Sequence, residues 1–83
     1  MNYTVPEDVG IKNIRQFYDR LKEMLKSDDM VVLDFAGANG VHLSAALVVL
    51  AAHREAKESG KTIRLKNLSD AVRRQLYLSG FNI

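Results

Sequence analysis

The chain has 83 residues and a mass of 9.3 kDa, which is enough for one small domain and too little for two. It has no cysteine, so disulfides, thiol nucleophiles and cysteine-ligated metal sites are excluded. The net charge of +2 is too small to indicate nucleic-acid binding, and no apolar run approaches the roughly 20 residues of a membrane span. Acidic Glu7 and Asp8 stand where a signal peptide has its apolar core, so we expect a cytoplasmic protein without membrane insertion.

Charge is distributed unequally along the chain. Residues 1–34 have five basic and seven acidic side chains, whereas residues 35–83 have seven basic and three acidic ones. A solvated surface explains the later cations most simply. The alternative is a basic docking surface for an acidic partner or a lipid head group, formed by Lys61, Arg64, Lys66, Arg73 and Arg74.

The first half of the chain predicts a strand, a helix and a second strand. Residues 1–5 are typical of a short strand, which Pro6 ends because proline is tolerated only at a strand end or sheet edge. Apolar residues at helical spacing predict an amphipathic helix over about residues 12–26. The β-branched run Met30-Val31-Val32-Leu33 then predicts a buried strand, which is central if the sheet is parallel.

The second half continues the alternation. A helix is predicted from about residue 44 to 59, with Ser44 as its N-cap and Gly60 as its stop signal. Alternating apolar and polar residues at 62–65 predict a half-exposed strand.

A third helix is predicted to begin after an N-cap at Ser69 and to end at Gly80. Its inward-facing residues are expected to be Ala71, Val72, Leu76 and Tyr77. The element order (β)αβαβα predicts an α/β fold with three to four mostly parallel strands and about three helices.

The loop after the central strand is the main candidate site, because functional loops of open α/β sheets lie at the carboxyl ends of their strands. Its glycines fit neither a Walker nor a dinucleotide pattern, so no cofactor is expected, and two histidines do not make a metal site. His42 and Ser44 leave open a hydrolase, in which the histidine activates the serine, although Asp34 is the one nearby carboxylate. Ser44 at a helix start is otherwise an N-cap or a phosphate-bearing residue.

Three segments resemble the STAS domain, the fold of sulfate transporters and anti-sigma factor antagonists. They are MVVLDFAGANG at 30–40, the helix at 44–60 and KTIRLKNLSDAVRRQLYLSG at 61–80, and the resemblance extends over about residues 12–83. It implies a non-enzymatic module whose partner is an anti-sigma factor or serine kinase, or, as the alternative, a subunit of a phospholipid-trafficking ABC transporter. The surface that the family uses corresponds here to Asn39, Gly40, His42, Leu43, Ser44 and Leu47.

The sequence departs from the family pattern at the start of the second helix. The family's Asp-Ser-Ser-Gly corresponds to His42-Leu43-Ser44-Ala45, so leucine stands at the usual phosphoacceptor position. We therefore expect a regulator or scaffold of the anti-sigma antagonist kind without the standard phosphoserine switch. Ser44 is the remaining candidate for phosphorylation, and Leu43 would supply a permanent apolar contact.

The chain is expected to be a single STAS-like domain, residues 1–83, that is short at both ends relative to the family. Fewer covering elements leave a sheet edge or an apolar face open, and natural proteins cover such surfaces. We therefore expect a homodimer or an obligate partner protein.

Overall fold

The computed structural model describes residues 1–6, 13–38 and 40–81. Its elements, in chain order, are β1 (Asn2–Thr4), α1 (Ile14–Ser27), β2 (Met30–Asp34), α2 (Leu43–Glu58), β3 (Thr62–Lys66) and α3 (Asp70–Leu78). The three strands are parallel and form one sheet in the order β1-β2-β3. The α/β class, the element order and the central position of the second strand are confirmed.

The helices cover one face of this sheet. Alternate residues of the strands point to opposite faces, and the side chains under the helices are buried, with Val31 and Leu33 at 0% and Ile63 at 4% exposure. The residues between them point the other way, and Met30 is 46% exposed. We call this second side the open face; its residues are Asn2, Thr4, Met30, Val32, Asp34, Thr62, Arg64 and Lys66.

Helix α2 lies between α1 and α3 and over β3. Its buried side consists mostly of small residues, which let the helix approach its neighbours closely: Ala45, Ala46, Val49, Ala52 and Ala56. Larger side chains of α1, such as Leu21 and Met24, fill the remaining space. The core therefore fixes both the position and the rotation of α2.

The start of α2 differs from the prediction. Its N-cap is His42, with extended backbone and no side-chain capping hydrogen bond, so the prediction that Ser44 caps the helix is wrong. The helix begins at Leu43, one residue earlier than predicted. The sequence does not mark this start, because an apolar residue gives no boundary signal.

Helix α3 begins as predicted but packs less fully. The Ser69 hydroxyl accepts a hydrogen bond from the Val72 N–H at 3.2 Å, which confirms this residue as the N-cap. Only Val72 and Leu76, four residues apart, are buried, so the expectation that Ala71 and Tyr77 face inward is wrong. A helix of 9 residues with neighbours on one side buries a single narrow stripe.

Glycines end the second and third helices as predicted. Gly60 has φ of 72° and Gly80 has φ of 104°, both in the left-handed region that residues with a side chain rarely adopt. Each follows directly after the C-cap residue of its helix, Ser59 or Ser79.

Ser69→Ala is expected to lower the free energy of unfolding by about 1 kcal/mol, because a helix N–H loses its acceptor. Ser44→Ala is the matched control and should change it by less than about 0.5 kcal/mol, since Ser44 does not cap α2. Urea denaturation followed by circular dichroism measures both. Equal losses for the two variants would contradict the assignment of the caps.

Candidate functional site

The loop between β2 and α2 is anchored in the core where it leaves the sheet. Phe35 is 1% exposed, and its N–H donates to the Lys66 carbonyl of β3 at 3.0 Å. The Ala38 N–H donates back to the Phe35 carbonyl at 3.0 Å and closes a tight turn. Asn39, one of the predicted partner-binding residues, lies outside the described residues.

Helix α3 holds the second part of this loop. The Val41 N–H donates to the Gln75 side-chain Oε1 at 2.6 Å, and Gly40 lies against the same amide. Val41 is itself buried, at 9% exposure. Gln75 was missed in the sequence because an exposed glutamine on a helix has no distinguishing pattern.

The first turns of α2 present two leucines to solvent. Leu43 is 66% exposed and Leu47 is 46% exposed, four residues further along the same side of the helix. His42 is exposed immediately before them. The structure thus brings four of the predicted residues, Gly40 to Ser44 apart from the buried Val41, to one end of the sheet, and Leu47 extends the surface along α2.

A groove runs between α1 and α2 beside these leucines. Its volume is about 510 Å³, and its lining is mostly apolar: Ile14, Arg15, Tyr18, Leu47, Val48 and Ala51. The Tyr18 hydroxyl donates to Glu55 Oε1 at 2.9 Å and joins the two helices further along. Ile14 and Tyr18 belong to the apolar spacing that predicts this helix, but such spacing carries no information about a gap left between two helices.

Ser44 lies on the groove side of α2. It is half-buried, and it shares a face of the helix with Leu47, Val48 and Ala51, three, four and seven residues later. A phosphate on this hydroxyl would place nearly two negative charges at the end of an apolar groove.

His42 and Ser44 do not form a catalytic pair. Residues two apart at the start of a helix do not face each other, and no hydrogen bond joins them within the described part of the chain. Asp34, the nearby carboxylate, is engaged elsewhere. The serine–histidine arrangement that nucleophilic catalysis needs is therefore not assembled among these residues.

Asp34 joins the carboxyl ends of β2 and β3. Its Oδ1 accepts hydrogen bonds from the Asn67 side-chain amide and the Ala36 N–H, both at 2.9 Å, and its Oδ2 lies 3.9 Å from Lys66 Nζ. Asn67 reaches back because its backbone is left-handed, with φ of 58°. These contacts, the Asn67 bond above all, hold the pKa of the Asp34 carboxyl below its ordinary value of 3.8.

Asn67→Gly is expected to raise the pKa of Asp34, because glycine keeps the left-handed backbone while the amide donor is lost. With the pKa lowered on folding, the stabilisation from this carboxylate is complete above pH 3.8 and is lost as pH falls through the folded pKa below that value. The variant should lose less stability over this acidic range. NMR titration of the Asp34 carboxyl carbon tests the shift, with Lys66→Gln as a control of smaller effect, and an unchanged Asp34 pKa in the glycine variant would contradict it.

The sequence matches a known protein family over nearly its whole length. A family model described as "Mlab, STAS domain" matches residues 4–83, nearly the whole chain. The chain therefore belongs to the STAS domain family, whose members generally mediate protein interactions and are generally non-enzymatic. The curated proteins gave no match. Among the helices of the described ranges, none combines the length and the hydrophobicity of a membrane span.

Proposed function

We propose that this chain is a non-enzymatic protein-binding module, a regulator or scaffold of the anti-sigma factor antagonist kind in bacterial signalling. Its partner-binding surface consists of Asn39, Gly40, His42, Leu43, Ser44 and Leu47. The partner is an anti-sigma factor or a serine kinase that contacts the start of α2.

The exposed leucines are the observation that supports this proposal. Leu43 and Leu47 expose 66% and 46% of their surface beside an apolar groove, although α2 buries most of its other apolar residues. A contiguous exposed apolar surface of this kind marks a site of interaction. The loop that leads to it is fixed at Phe35 and at Gln75, so the surface is largely preformed.

Binding at this surface does not use the family's standard phosphoserine switch. The hydroxyl of the usual phosphoacceptor is replaced by Leu43, which makes a permanent apolar contact. Ser44 is the possible phosphorylation site, and a phosphate there would weaken apolar contacts in the adjacent groove.

The alternative function is that of a cytoplasmic subunit of a phospholipid-trafficking ABC transporter. Leucine at position 43 favours it, because a structural subunit needs no phosphoacceptor. A hydrolase is disfavoured, since His42 and Ser44 lie at a helix start where they do not face each other.

Affinity capture from the source organism, with the purified chain as bait and mass spectrometry as the readout, tests the proposal. Specific enrichment of an anti-sigma factor or serine kinase supports it, and enrichment of ABC transporter subunits supports the alternative. Ser44→Ala bait should retain its partner, because a scaffold needs no hydroxyl at this position. An esterase activity that disappears in the same variant would contradict the proposal.

A further inference from the structure

The open face of the sheet has no helix over it within the described residues. Parallel sheets almost always have both faces covered, so a bare face on parallel strands is unusual. Met30 is 46% exposed there, and Asn2, Thr4, Thr62 and Arg64 are exposed around it. This face lies on the other side of the sheet from α2 and its leucines.

The register of the strands places two apolar residues in the middle of this face and two cations on one side of them. The central strand contributes Met30 and Val32, followed by Asp34 at its carboxyl end. Beside it, β3 contributes two cations, Arg64 opposite Val32 and Lys66 opposite Asp34. On the other side, β1 contributes the uncharged Asn2 and Thr4.

The two cations differ in how far they are neutralised. Lys66 lies 3.9 Å from the Asp34 carboxylate, which also accepts two hydrogen bonds. Arg64 makes no ion pair with any described residue. A guanidinium beside exposed apolar side chains is well suited to bind a carboxylate of a partner, because it binds such groups in a bidentate geometry.

The dimensions of the face match one α-helix. Three strands spaced by about 4.8 Å extend over about 10 Å, which is close to the diameter of a helix. Strands of 5 residues are about 17 Å long, equal to roughly three helical turns.

We propose that the open face binds an amphipathic, acidic α-helix of a partner protein. Apolar side chains of that helix pack on Met30 and Val32, and its carboxylates lie over β3, where one of them pairs with Arg64. This surface is separate from the one at the start of α2.

The test uses a synthetic helical peptide with leucines spaced three and four residues apart and glutamates beside them, added to isotope-labelled protein. We expect saturable NMR shifts centred on Met30, Val32 and Arg64. Arg64→Glu should lower the affinity for the peptide by about tenfold or more, because a charge pair at the interface is lost. Arg73→Glu, a matched charge reversal on α3, should leave the affinity unchanged.

Three further measurements separate this proposal from other occupants and from the proposed function. A peptide with lysines in place of the glutamates should not bind. The variant with Leu43→Glu and Leu47→Glu should bind the acidic peptide with unchanged affinity, even if it no longer binds the partner proposed for the start of α2. No saturable shift, self-association through the same residues without peptide, or binding to phosphatidylglycerol vesicles that exceeds peptide binding would overturn the proposal.

Discussion

Replacing Leu43 and Leu47 together with glutamate is expected to reduce partner affinity by about a hundredfold or more. Burial of each leucine contributes about 1.5–3 kcal/mol, and the variant also places two charges in an apolar contact. The fold should persist, because Leu43 is 66% exposed and a glutamate in the first turn of a helix interacts favourably with its dipole. Isothermal titration calorimetry with the captured partner measures the loss.

Tyr77→Glu is the control for this pair. Tyr77 is 64% exposed, nearly as much as Leu43, and it lies two residues from Gln75, away from the side of α3 that holds the loop. The control should bind within about twofold of the unmodified chain, as expected for a side chain outside an interface. If Tyr77→Glu weakens binding as much as the leucine pair does, the partner-binding surface is not at the start of α2.

Phe35→Ala is expected to have the largest effect on stability. Phe35 is 1% exposed and is the largest fully buried side chain, so its truncation leaves a cavity that costs about 3–5 kcal/mol. A domain of 83 residues has a total stability of roughly 4–12 kcal/mol, so the variant should lose about a quarter of that stability or more. Thermal denaturation followed by circular dichroism measures this change.

Phe35→Leu separates the cavity from the loss of the ring itself. It retains most of the volume and should cost no more than about 1.5 kcal/mol. Because Phe35 begins the loop that leads to α2, this folded variant also allows partner binding to be measured with a loosened loop. An alanine variant as stable as the leucine variant would mean that the pocket around Phe35 collapses without cost.

The helices and strands of this fold could be predicted from local sequence signals. The predictions that failed concern side chains whose burial depends on tertiary packing. The alternation at residues 62–65, the Ser69 cap and the stops at Gly60 and Gly80 each have a local physical cause, and each is confirmed. Tyr77 was misplaced because its exposure depends on how few neighbours surround α3, which its own sequence does not encode.

The sequence predicts the position of the candidate site in the fold but not the contacts that shape it. The carboxyl end of β2 and the first turn of α2 were identified from the element order and the family pattern, whereas Gln75 and the groove beside α1 were not. Both depend on the relative placement of helices that are distant in the chain; Gln75, for example, contacts Val41 across a separation of 34 residues. No spacing rule within one helix reports such a contact.

The placement of all three helices on one face of the sheet has a consequence for valency. The leucines at the start of α2 and the open face belong to different sides of the sheet, so the two proposed surfaces share no residue. If both proposed surfaces are used at once, a chain of 9.3 kDa would link two proteins and raise the effective concentration of each near the other. Its role would then be to hold two other proteins close together. A ternary complex in size-exclusion chromatography of all three proteins would show this.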